Sequence, residues 1–485
     1  MPASPSNRLN LGTAVIVAFV VLTGIFVTLV WLPAEGAFRG YCLNNYDLGI
    51  YGQALFQLSL KNLNPWLSVR EIRLFNDHFD PILFLLAPFK SLANPAVLLL
   101  RFEMLIALAT SASFFMMARQ RTVTFAAATF MAAFILFNRA SLGAFTFPAH
   151  PGTWAVLPLT LTCWFLWQGK SRAALLTFCF CLLCKEEYPA VGIAVGATLI
   201  ATGRQRPGIE FLALSIFWAV LAFVVRPAVL GPAGQYTGSI QEAEGMAWLL
   251  QPEKLAAVLL WTASWILPFL PLLWVAVRSE NKILTRNFLL QNAPVTAIFL
   301  TLLGIRIVGG WWFSHRSIPL VAVAAVMTLQ LLSVCQTRGR HPPRVWWIAA
   351  ILLAGLAHQS LRPAIRFWMS RDIAPHCPSN PARIASLDLA TARLLSFPLG
   401  KALVQGNLLP HLVERNAVHH LGATAESPDS FQWLLVEKNQ RGSTWPAGAD
   451  IVATTIRQWQ SMPDIRTVIE DANVLLLERP HPREP

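Results

Sequence analysis

Long apolar stretches, separated by short basic clusters, run along most of the chain. A membrane-spanning helix needs roughly 20 apolar residues. On that criterion the sequence predicts spanning helices at 11–33, 94–118, 122–138, 152–168, 208–229, 254–277, 288–308, 315–335 and 345–361. Together with a further apolar region at 173–202, the pattern predicts a polytopic α-helical membrane protein with about 10–11 membrane helices, some of them short or broken.

The basic clusters orient this arrangement, because Lys and Arg between spans stay mostly on the cytoplasmic side. The first apolar run is too long for the core of a signal peptide, so we interpret it as a retained signal anchor with Arg8 in the cytoplasm. The segments that this topology places outside are the loops 34–93, 139–151 and 230–253 and the short connection 309–317. We therefore predict a multi-pass protein of the plasma (inner) membrane.

Three consecutive ionisable residues, Lys185, Glu186 and Glu187, interrupt the apolar region 173–202. The run before them, AALLTFCFCLLC, is roughly 18 Å long as a helix, whereas the membrane core is about 30 Å thick. We therefore expect a helical hairpin whose polar turn lies below the outer surface. Ionisable groups at such depth are costly unless paired or hydrated, and they often mark function. The alternative is a Lys–Glu pair that braces the hairpin.

The composition changes after about residue 363, where polar residues become frequent. Helical patterns and strand-like runs alternate there, with helices predicted at 381–397 and 451–462 and strands at 401–408, 417–421, 431–438 and 467–478. Helices and strands within about 120 residues are typical of one small α/β domain. We predict a transmembrane domain at 1–362, with its first external loop at 34–93, and an extracytoplasmic α/β domain at 363–485.

The overall composition agrees with a membrane protein. Hydrophobic residues make up 55% of the chain and charged residues 13%, with a mean hydropathy of +0.51, whereas soluble domains contain about 25% charged residues. The net charge of +13 is distributed in clusters between spans, so we predict membrane lipids, and no nucleic acid, as partners. Cys42 and Cys377 are both predicted to be external, where disulfides persist. The sequence leaves open whether these two cysteines form a disulfide.

Asp47 stands at the start of a predicted helix in the first external loop. Leu48, Tyr51, Leu55 and Leu58 follow at helical spacing, which is typical of an amphipathic helix that lies at the membrane interface. Two interpretations of the carboxylate remain open. It caps the helix, as Asp often does, or it is held at the mouth of a cavity. Both can be true, since capping would fix its orientation.

Further polar residues follow on the predicted external side. Asp77 and Asp80 flank a histidine in NDHFDPILFLLAPF, and this group could hold a divalent cation. Arg316 stands in WWFSHRS, at the external entrance of a predicted span. The three histidines assigned to this side, each able to bind a phosphate, a metal or a sugar hydroxyl, are His78, His150 and His315.

Five motifs carry a resemblance to a known family. In chain order they are YDLGIYGQAL, HFDPILFLLAPF, FPAHPGTW, KEE and NLLPHLVERNAVHHLG. Together they resemble the prokaryotic membrane proteins of domain of unknown function 2079 (DUF2079), from about Tyr46 to Val436. That family is in turn similar to the glycosyltransferase C superfamily. Its members are polytopic, carry an acidic residue and interfacial helices in the first external loop, and use lipid-phosphate-linked sugars as donors.

The resemblance implies a glycosyltransferase C-like fold and an enzyme that transfers a sugar from a polyprenyl-phosphate donor at the outer membrane face. The acceptor would be a glycan, a lipid or a protein. Asp47 matches the catalytic carboxylate, a general base that takes the proton of the acceptor hydroxyl. The departing phosphate needs cations or hydrogen-bond donors. The candidates for substrate and donor-phosphate binding are Lys185, Glu186, Glu187, His78, His150, His315 and Arg316.

A transporter or flippase is the alternative function, with Lys185, Glu186 and Glu187 as an intramembrane relay. A transporter should line both halves of its path with polar groups. In the predicted membrane part, however, only Glu210 and Glu280 are cytoplasmic carboxylates. A third hypothesis is a scaffold that keeps the fold without activity. The concentration of carboxylates on the outer side favours the enzyme.

Overall fold

A computed structural model describes most of the chain, namely residues 5–43, 46–120, 125–145, 147–231, 286–309, 314–337, 380–397, 399–422, 424, 426–438 and 448–480. The spans predicted at 254–277 and 345–361 lie outside the described residues. Cys42 is disulfide-bonded; Cys377, with which the sequence leaves a bridge open, also lies outside the described residues.

Helices form most of the described membrane region. Numbered along the chain, they are α1 (Pro5–Phe26), α2 (Leu32–Arg39), α3 (Tyr46–Gln57), α4 (Leu74–Asp77), α5 (Leu83–Leu86), α6 (Pro95–Gln120), α7 (Phe125–Phe137), α8 (Arg139–Phe145), α9 (Pro151–Trp154), α10 (Val156–Trp167), α11 (Ser171–Cys184), α12 (Tyr188–Ala201), α13 (Gln205–Val220), α14 (Arg226–Leu230), α15 (Arg286–Gly309) and α16 (Ile318–Thr337). Short π-helical or 3₁₀ turns occupy Val27–Trp31, Ala87–Phe89, Leu221–Val225 and Ser314–Ser317.

Several of these helices are long and apolar enough to cross a membrane. Among the described residues they are Thr13–Arg39, Pro95–Met117, Gln205–Leu230 and Phe288–Arg306. Shorter apolar helices occupy Ser171–Cys184, Tyr188–Ala201 and Ile318–Val334. The predicted polytopic helical fold, in which some helices are short or broken, is therefore confirmed.

The region 173–202 forms the helical hairpin that its sequence predicts. α11 ends at Cys184, Lys185 has extended backbone, and α12 begins at Tyr188 with Pro189 in its first turn. Each of the two helices has 14 residues and is therefore roughly 21 Å long. Because the membrane core is about 30 Å thick, neither helix is long enough to cross it alone.

The loop 34–93, which the sequence predicts to be the first external loop, is folded against the membrane helices. It contains α3, a two-stranded antiparallel hairpin of β1 (Trp66–Leu67) and β2 (Ile72–Arg73), and the short helices α4 and α5. Lys90 closes the loop, because its ammonium group donates hydrogen bonds of 2.8 Å to the carbonyl oxygens of both Phe56 and Leu58. This contact holds the end of α3 next to the segment that leads into α6.

The C-terminal region forms a five-stranded sheet with two helices. Its elements are α17 (Pro381–Ser396), β3 (Ala402–Val404), β4 (Val418–His420), β5 (Trp433–Glu437), α18 (Ala449–Gln460), β6 (Arg466–Glu470) and β7 (Val474–Glu478). The strand order is β4–β3–β5–β7–β6. β3 is parallel to both of its neighbours, and β7 is antiparallel to both of its own. The run predicted as one strand at 467–478 is the hairpin of β6 and β7, divided by a bend at 471–473.

The sheet region packs directly on the first external loop, and one apolar core runs through both. The side-chain amide of Gln53 in α3 donates to Ser68 Oγ at 2.8 Å and to the backbone oxygen of Arg415 at 3.1 Å. A Cβ atom on Gly52 would lie 2.7 Å from Cγ1 of Val413, so only glycine allows this close approach. The loop and the sheet therefore lie on the same side of the membrane helices.

A buried ion pair reinforces this contact. Arg383 in α17 binds Glu437 in β5 through Nε and Nη2, at 2.5 and 2.9 Å. Its Nη1 donates to the carbonyl oxygen of Gly40, at the end of α2, at 2.6 Å. The side chains of Arg383 and Glu437 are 1% and 0% exposed, and Asn407 also donates to Glu437 at 3.0 Å. The added hydrogen bonds offset the cost of removing two charges from water.

Candidate active site

Asp47 and His150 form a hydrogen-bonded pair, although 103 positions separate them in the chain. Oδ2 of Asp47 lies 2.8 Å from Nε2 of His150. Asp47 is in the first turn of α3, where the helix dipole favours a carboxylate, and His150 is the extended residue before Pro151 and α9. The side chain of Asp47 is 32% exposed and that of His150 only 9%. Asp47 is therefore the member of the pair that a substrate can reach.

Two opposing effects set the pKa of Asp47. Burial raises the pKa, because it removes water from the charged carboxylate. The hydrogen bond with His150 and the electrostatic interactions with His150, His78 and Lys185 lower it by more. The pKa of Asp47 is therefore below its ordinary value, and the carboxylate is ionised at neutral pH.

Glu103, a fully buried residue of α6, holds the turn that carries His150. Its Oε2 accepts hydrogen bonds from the backbone N–H of Ala149 at 2.7 Å, from that of His150 at 3.4 Å, and from Nε1 of Trp154 at 3.2 Å. Ala149 has a positive φ of 74°, a conformation that a non-glycine residue keeps only with support from its surroundings. Glu103 thus fixes the backbone from which His150 reaches Asp47.

A second cluster joins the first external loop to the hairpin of α11 and α12. Nδ1 of His78 lies 2.8 Å from Oε1 of Glu186, and the other oxygen of Glu186 accepts from the backbone N–H of Phe79 at 3.1 Å. The ammonium nitrogen of Lys185 lies 3.4 Å from Nε2 of His78. A cation, an imidazole and a carboxylate therefore lie in a row.

The two clusters meet beside Gly152, in the first turn of α9. A Cβ atom on Gly152 would lie 3.4 Å from Cδ of Lys185, so the aliphatic part of that lysine passes along the turn that follows His150. The hydroxyl of Tyr188 donates to the carbonyl oxygen of Gly152 at 3.4 Å. The predicted site residues that the structure thereby brings into one neighbourhood are Asp47, His78, His150, Lys185 and Glu186.

Glu187 makes a separate contact. Both of its oxygens accept hydrogen bonds from the guanidinium of Arg306 in α15, at 2.6 and 3.1 Å. The side chains are 13% and 4% exposed. This bidentate pair braces the turn between α11 and α12, so a brace of the hairpin is present. Its cation is Arg306 from another helix, whereas Lys185 contacts His78.

The predicted cation ligands Asp77, His78 and Asp80 do not converge. Asp77 pairs with Arg70 at 3.4 Å, and Oδ2 of Asp80 accepts a 2.7 Å hydrogen bond from the hydroxyl of Tyr51. The backbone is extended at His78, so successive side chains point in different directions. In the described part of the chain these three residues form no group of metal ligands. Burial raises the pKa of Asp80 to about 6.

The two remaining candidates lie in the 3₁₀ turn Ser314–Ser317. This turn packs against α8 and α9, which places it next to the segment that carries His150. Arg316 is partly exposed. The side chain of His315 lies outside what the structure describes. A role for either residue at the site stays a prediction.

The sequence analysis assigned no role at the site to two residues of this network, Glu103 and Arg306. Glu103 supports His150, and Arg306 pairs with Glu187. Both residues could have been identified from the sequence as ionisable residues within predicted spans. Glu103 lies in the span 94–118 and Arg306 in the span 288–308. Their partners are distant in the sequence, so the signal indicates that a partner is needed but does not identify it.

Comparisons with known proteins place the chain as follows. The sequence pattern of a family described as "Predicted membrane protein (DUF2079)" matches residues 39–464. No curated protein matches the chain. One similar solved structure is the arabinofuranosyltransferase AftD from mycobacteria, determined by single-particle cryo-electron microscopy, with a TM-score of 0.49 and 14% identity. The similarity covers 97% of this chain and 40% of that protein, so the chain spans about two fifths of its length.

Proposed function

The chain belongs to the DUF2079 family of predicted membrane proteins, and we propose that it is a membrane glycosyltransferase using a polyprenyl-phosphate-linked sugar. The acceptor is a glycan, a lipid or a protein. The observation that carries this proposal is the position of the Asp47–His150 pair beside the row formed by Lys185, His78 and Glu186. A base and a cation side by side in a membrane protein suit a reaction in which a hydroxyl attacks and an anionic lipid phosphate leaves.

Asp47 is the general base of the proposed reaction. The acceptor oxygen attacks the anomeric carbon of the sugar, the bond from that carbon to the phosphate oxygen breaks, and the phosphate leaves with the electron pair. The proton of the acceptor hydroxyl passes to the Asp47 carboxylate. The greater exposure of Asp47 within the pair and its ionised state at neutral pH support this role. His150 keeps the carboxylate oriented.

Lys185 is the main group for the departing phosphate. Negative charge grows on the phosphate oxygens as the bond breaks, and a fixed cation at that place lowers the barrier. Its neighbour His78 orients the ammonium group, because Nε2 of His78 lies 3.4 Å from the lysine nitrogen, and Glu186 holds the His78 ring from the other side. Arg316 and His315, in the turn that packs against α9, are further candidates for the phosphate.

The hairpin gives a lipid access to this site. α11 and α12 are both too short to cross the membrane core, and apolar side chains on them, such as Leu176, Phe180 and Ile193, are exposed. A polyprenyl chain can lie along such a surface while its phosphate reaches the polar turn. With the basic clusters in the cytoplasm, the turn, the first loop and the C-terminal sheet face outward, so we place the reaction at the outer face of the plasma membrane.

Replacement of Lys185 by Met tests the phosphate site. We expect the purified protein to bind undecaprenyl phosphate at least about tenfold more weakly, because a charge-assisted contact is worth roughly 1.5–3 kcal/mol. Native mass spectrometry or a fluorescence titration in detergent measures the affinity. The matched control is Lys170→Met, at the other end of α11, which should bind as the wild type does. Equal affinities of the wild type and Lys185→Met would remove Lys185 from the site.

Replacement of His150 by Ala tests how the base is tuned. The base must be ionised, so transfer falls as the pH drops through the pKa of Asp47. Without His150 the hydrogen bond is lost while burial still raises that pKa. We therefore expect the acid limb of the pH–rate profile to move upward by about one to two pH units. The measurement is kcat/KM for sugar transfer from pH 3 to 8, and an unmoved limb would show that His150 does not set this pKa.

The same contacts argue against a proton relay through the hairpin. A relay group must release its partner during each cycle, but Glu187 is held by two hydrogen bonds to the nearly buried Arg306. Glu186 likewise contacts His78 and the backbone of Phe79 with separate oxygens. This arrangement is typical of a rigid site rather than of an alternating one.

A further inference from the structure

A group of metal-type ligands lies where the first external loop meets the C-terminal sheet, apart from the candidate active site. Glu71 belongs to the loop and stands just before β2. His419 is the middle residue of β4, the edge strand of the sheet, and Glu426 follows in the next loop. The three offer one ligand atom each, and these atoms lie within 4.8 Å of one another.

The geometry of this group suits a cation. Nδ1 of His419 lies 3.2 Å from Oε1 of Glu71, and the hydroxyl of Thr424 donates to the same oxygen. The hydroxyl of Ser430 donates to Oε2 of Glu426 at 2.8 Å. The side chain of His419 is only 5% exposed. One imidazole and two carboxylates form a donor set of the kind that binds zinc. Each of the two carboxylates also accepts a hydrogen bond from a neighbouring hydroxyl, which orients it.

Lys401 is the competitor for this site. Its ammonium group contacts both oxygens of Glu426, at 2.8 and 2.6 Å. The two side chains are 44% and 29% exposed, and an ion pair so accessible to water contributes only about 0–1 kcal/mol. A divalent cation that gains three ligands can displace such a lysine, whereas it could not displace a fully buried partner.

We propose that Glu71, His419 and Glu426 bind a divalent transition-metal cation of the zinc class and thereby join the first external loop to the C-terminal sheet. One ligand comes from the first external loop, one from β4 and one from the loop that follows β4, so the cation spans the contact between the two regions. Water or a further neighbour fills the remaining coordination position. The site is structural, because its ligands are separate from those of the proposed transfer reaction.

Zinc titration of the tag-free, full-length protein in detergent tests this proposal. After dialysis against a chelator, we expect the wild type to bind Zn²⁺ and to unfold at a higher temperature in its presence. Glu426→Gln should bind Zn²⁺ at least about tenfold more weakly and lose most of the thermal shift. Lys401→Met should bind about two- to fivefold more tightly, because its competing ion pair is gone.

A matched control separates these effects from a general change of surface charge. Lys438 pairs with Glu470 on the same sheet at 2.9 Å, and Lys438→Met should leave Zn²⁺ affinity unchanged. His419→Gln provides a second ligand variant if Glu426→Gln is poorly folded. The proposal is overturned if neither the wild type nor Lys401→Met binds Zn²⁺, or if both ligand variants bind it as the wild type does. Neither outcome affects the proposed transferase activity, since no assay of transfer is involved.

Discussion

Asp47→Asn is expected to lower the rate of sugar transfer by about 10²–10⁴-fold, the usual contribution of a general base. The amide has the size and shape of the carboxylate and can still form a hydrogen bond with His150. It cannot accept the proton of the acceptor hydroxyl. The variant should therefore remain folded and inserted in the membrane while its chemistry fails.

The measurement uses membranes that contain the wild type or the variant and a panel of radiolabelled polyprenyl-phosphate sugars. Transfer should be lost for whichever donor the wild type uses, while the affinity for undecaprenyl phosphate stays within about threefold, because Asp47 is not assigned to the phosphate. Asp77→Asn is the matched control in the same loop, since Asp77 pairs with Arg70. Full activity of Asp47→Asn would exclude Asp47 as the base.

Arg383→Met is expected to lower the free energy of unfolding by about 3–5 kcal/mol, the typical cost of removing one partner of a buried ion pair. The Glu437 carboxylate would remain charged and fully buried. It would keep the hydrogen bond from Asn407 but lose its cationic partner. The carbonyl oxygen of Gly40 would also lose its donor. The contact between α17, the sheet and the end of α2 would weaken as a whole.

Unfolding by SDS titration in mixed micelles measures this loss. The double variant Arg383→Met/Glu437→Leu should recover most of the stability, because it leaves no uncompensated charge. Arg466→Met, on the exposed side of β6, is the control for removing an arginine from the same sheet. If the single variant at Arg383 were as stable as that control, the ion pair would not hold the two regions together.

The sequence was most informative for the long apolar runs, because their length and composition are enough to predict a membrane-spanning helix. The predicted span 94–118 is α6 at Pro95–Gln120, and 288–308 is α15 at Arg286–Gly309. The break at Lys185 was also predictable, because polar residues and a following proline end an apolar helix. The family resemblance is confirmed by the match over residues 39–464.

The contacts of the site could be predicted only in part. Periodicity places Asp47 at the start of a helix and His150 before another, but their pairing depends on how distant segments pack. The group at Asp77, His78 and Asp80 shows the limit most clearly. Adjacent residues of ligand type were interpreted as one possible cation site, whereas the extended backbone directs them to Arg70, Glu186 and Tyr51.

The close approach of Val413 to Gly52 joins the C-terminal region to the membrane region, so the two cannot be truncated or exchanged independently. The helix that presents Asp47 rests on the C-terminal sheet, and the ring of Tyr46, immediately before Asp47, packs edge-on against that of His420 with centroids 5.0 Å apart. The C-terminal sheet region therefore supports the position of α3 in the membrane region. It cannot be exchanged between relatives, or removed by truncation, without changing the place where the acidic side chain is presented.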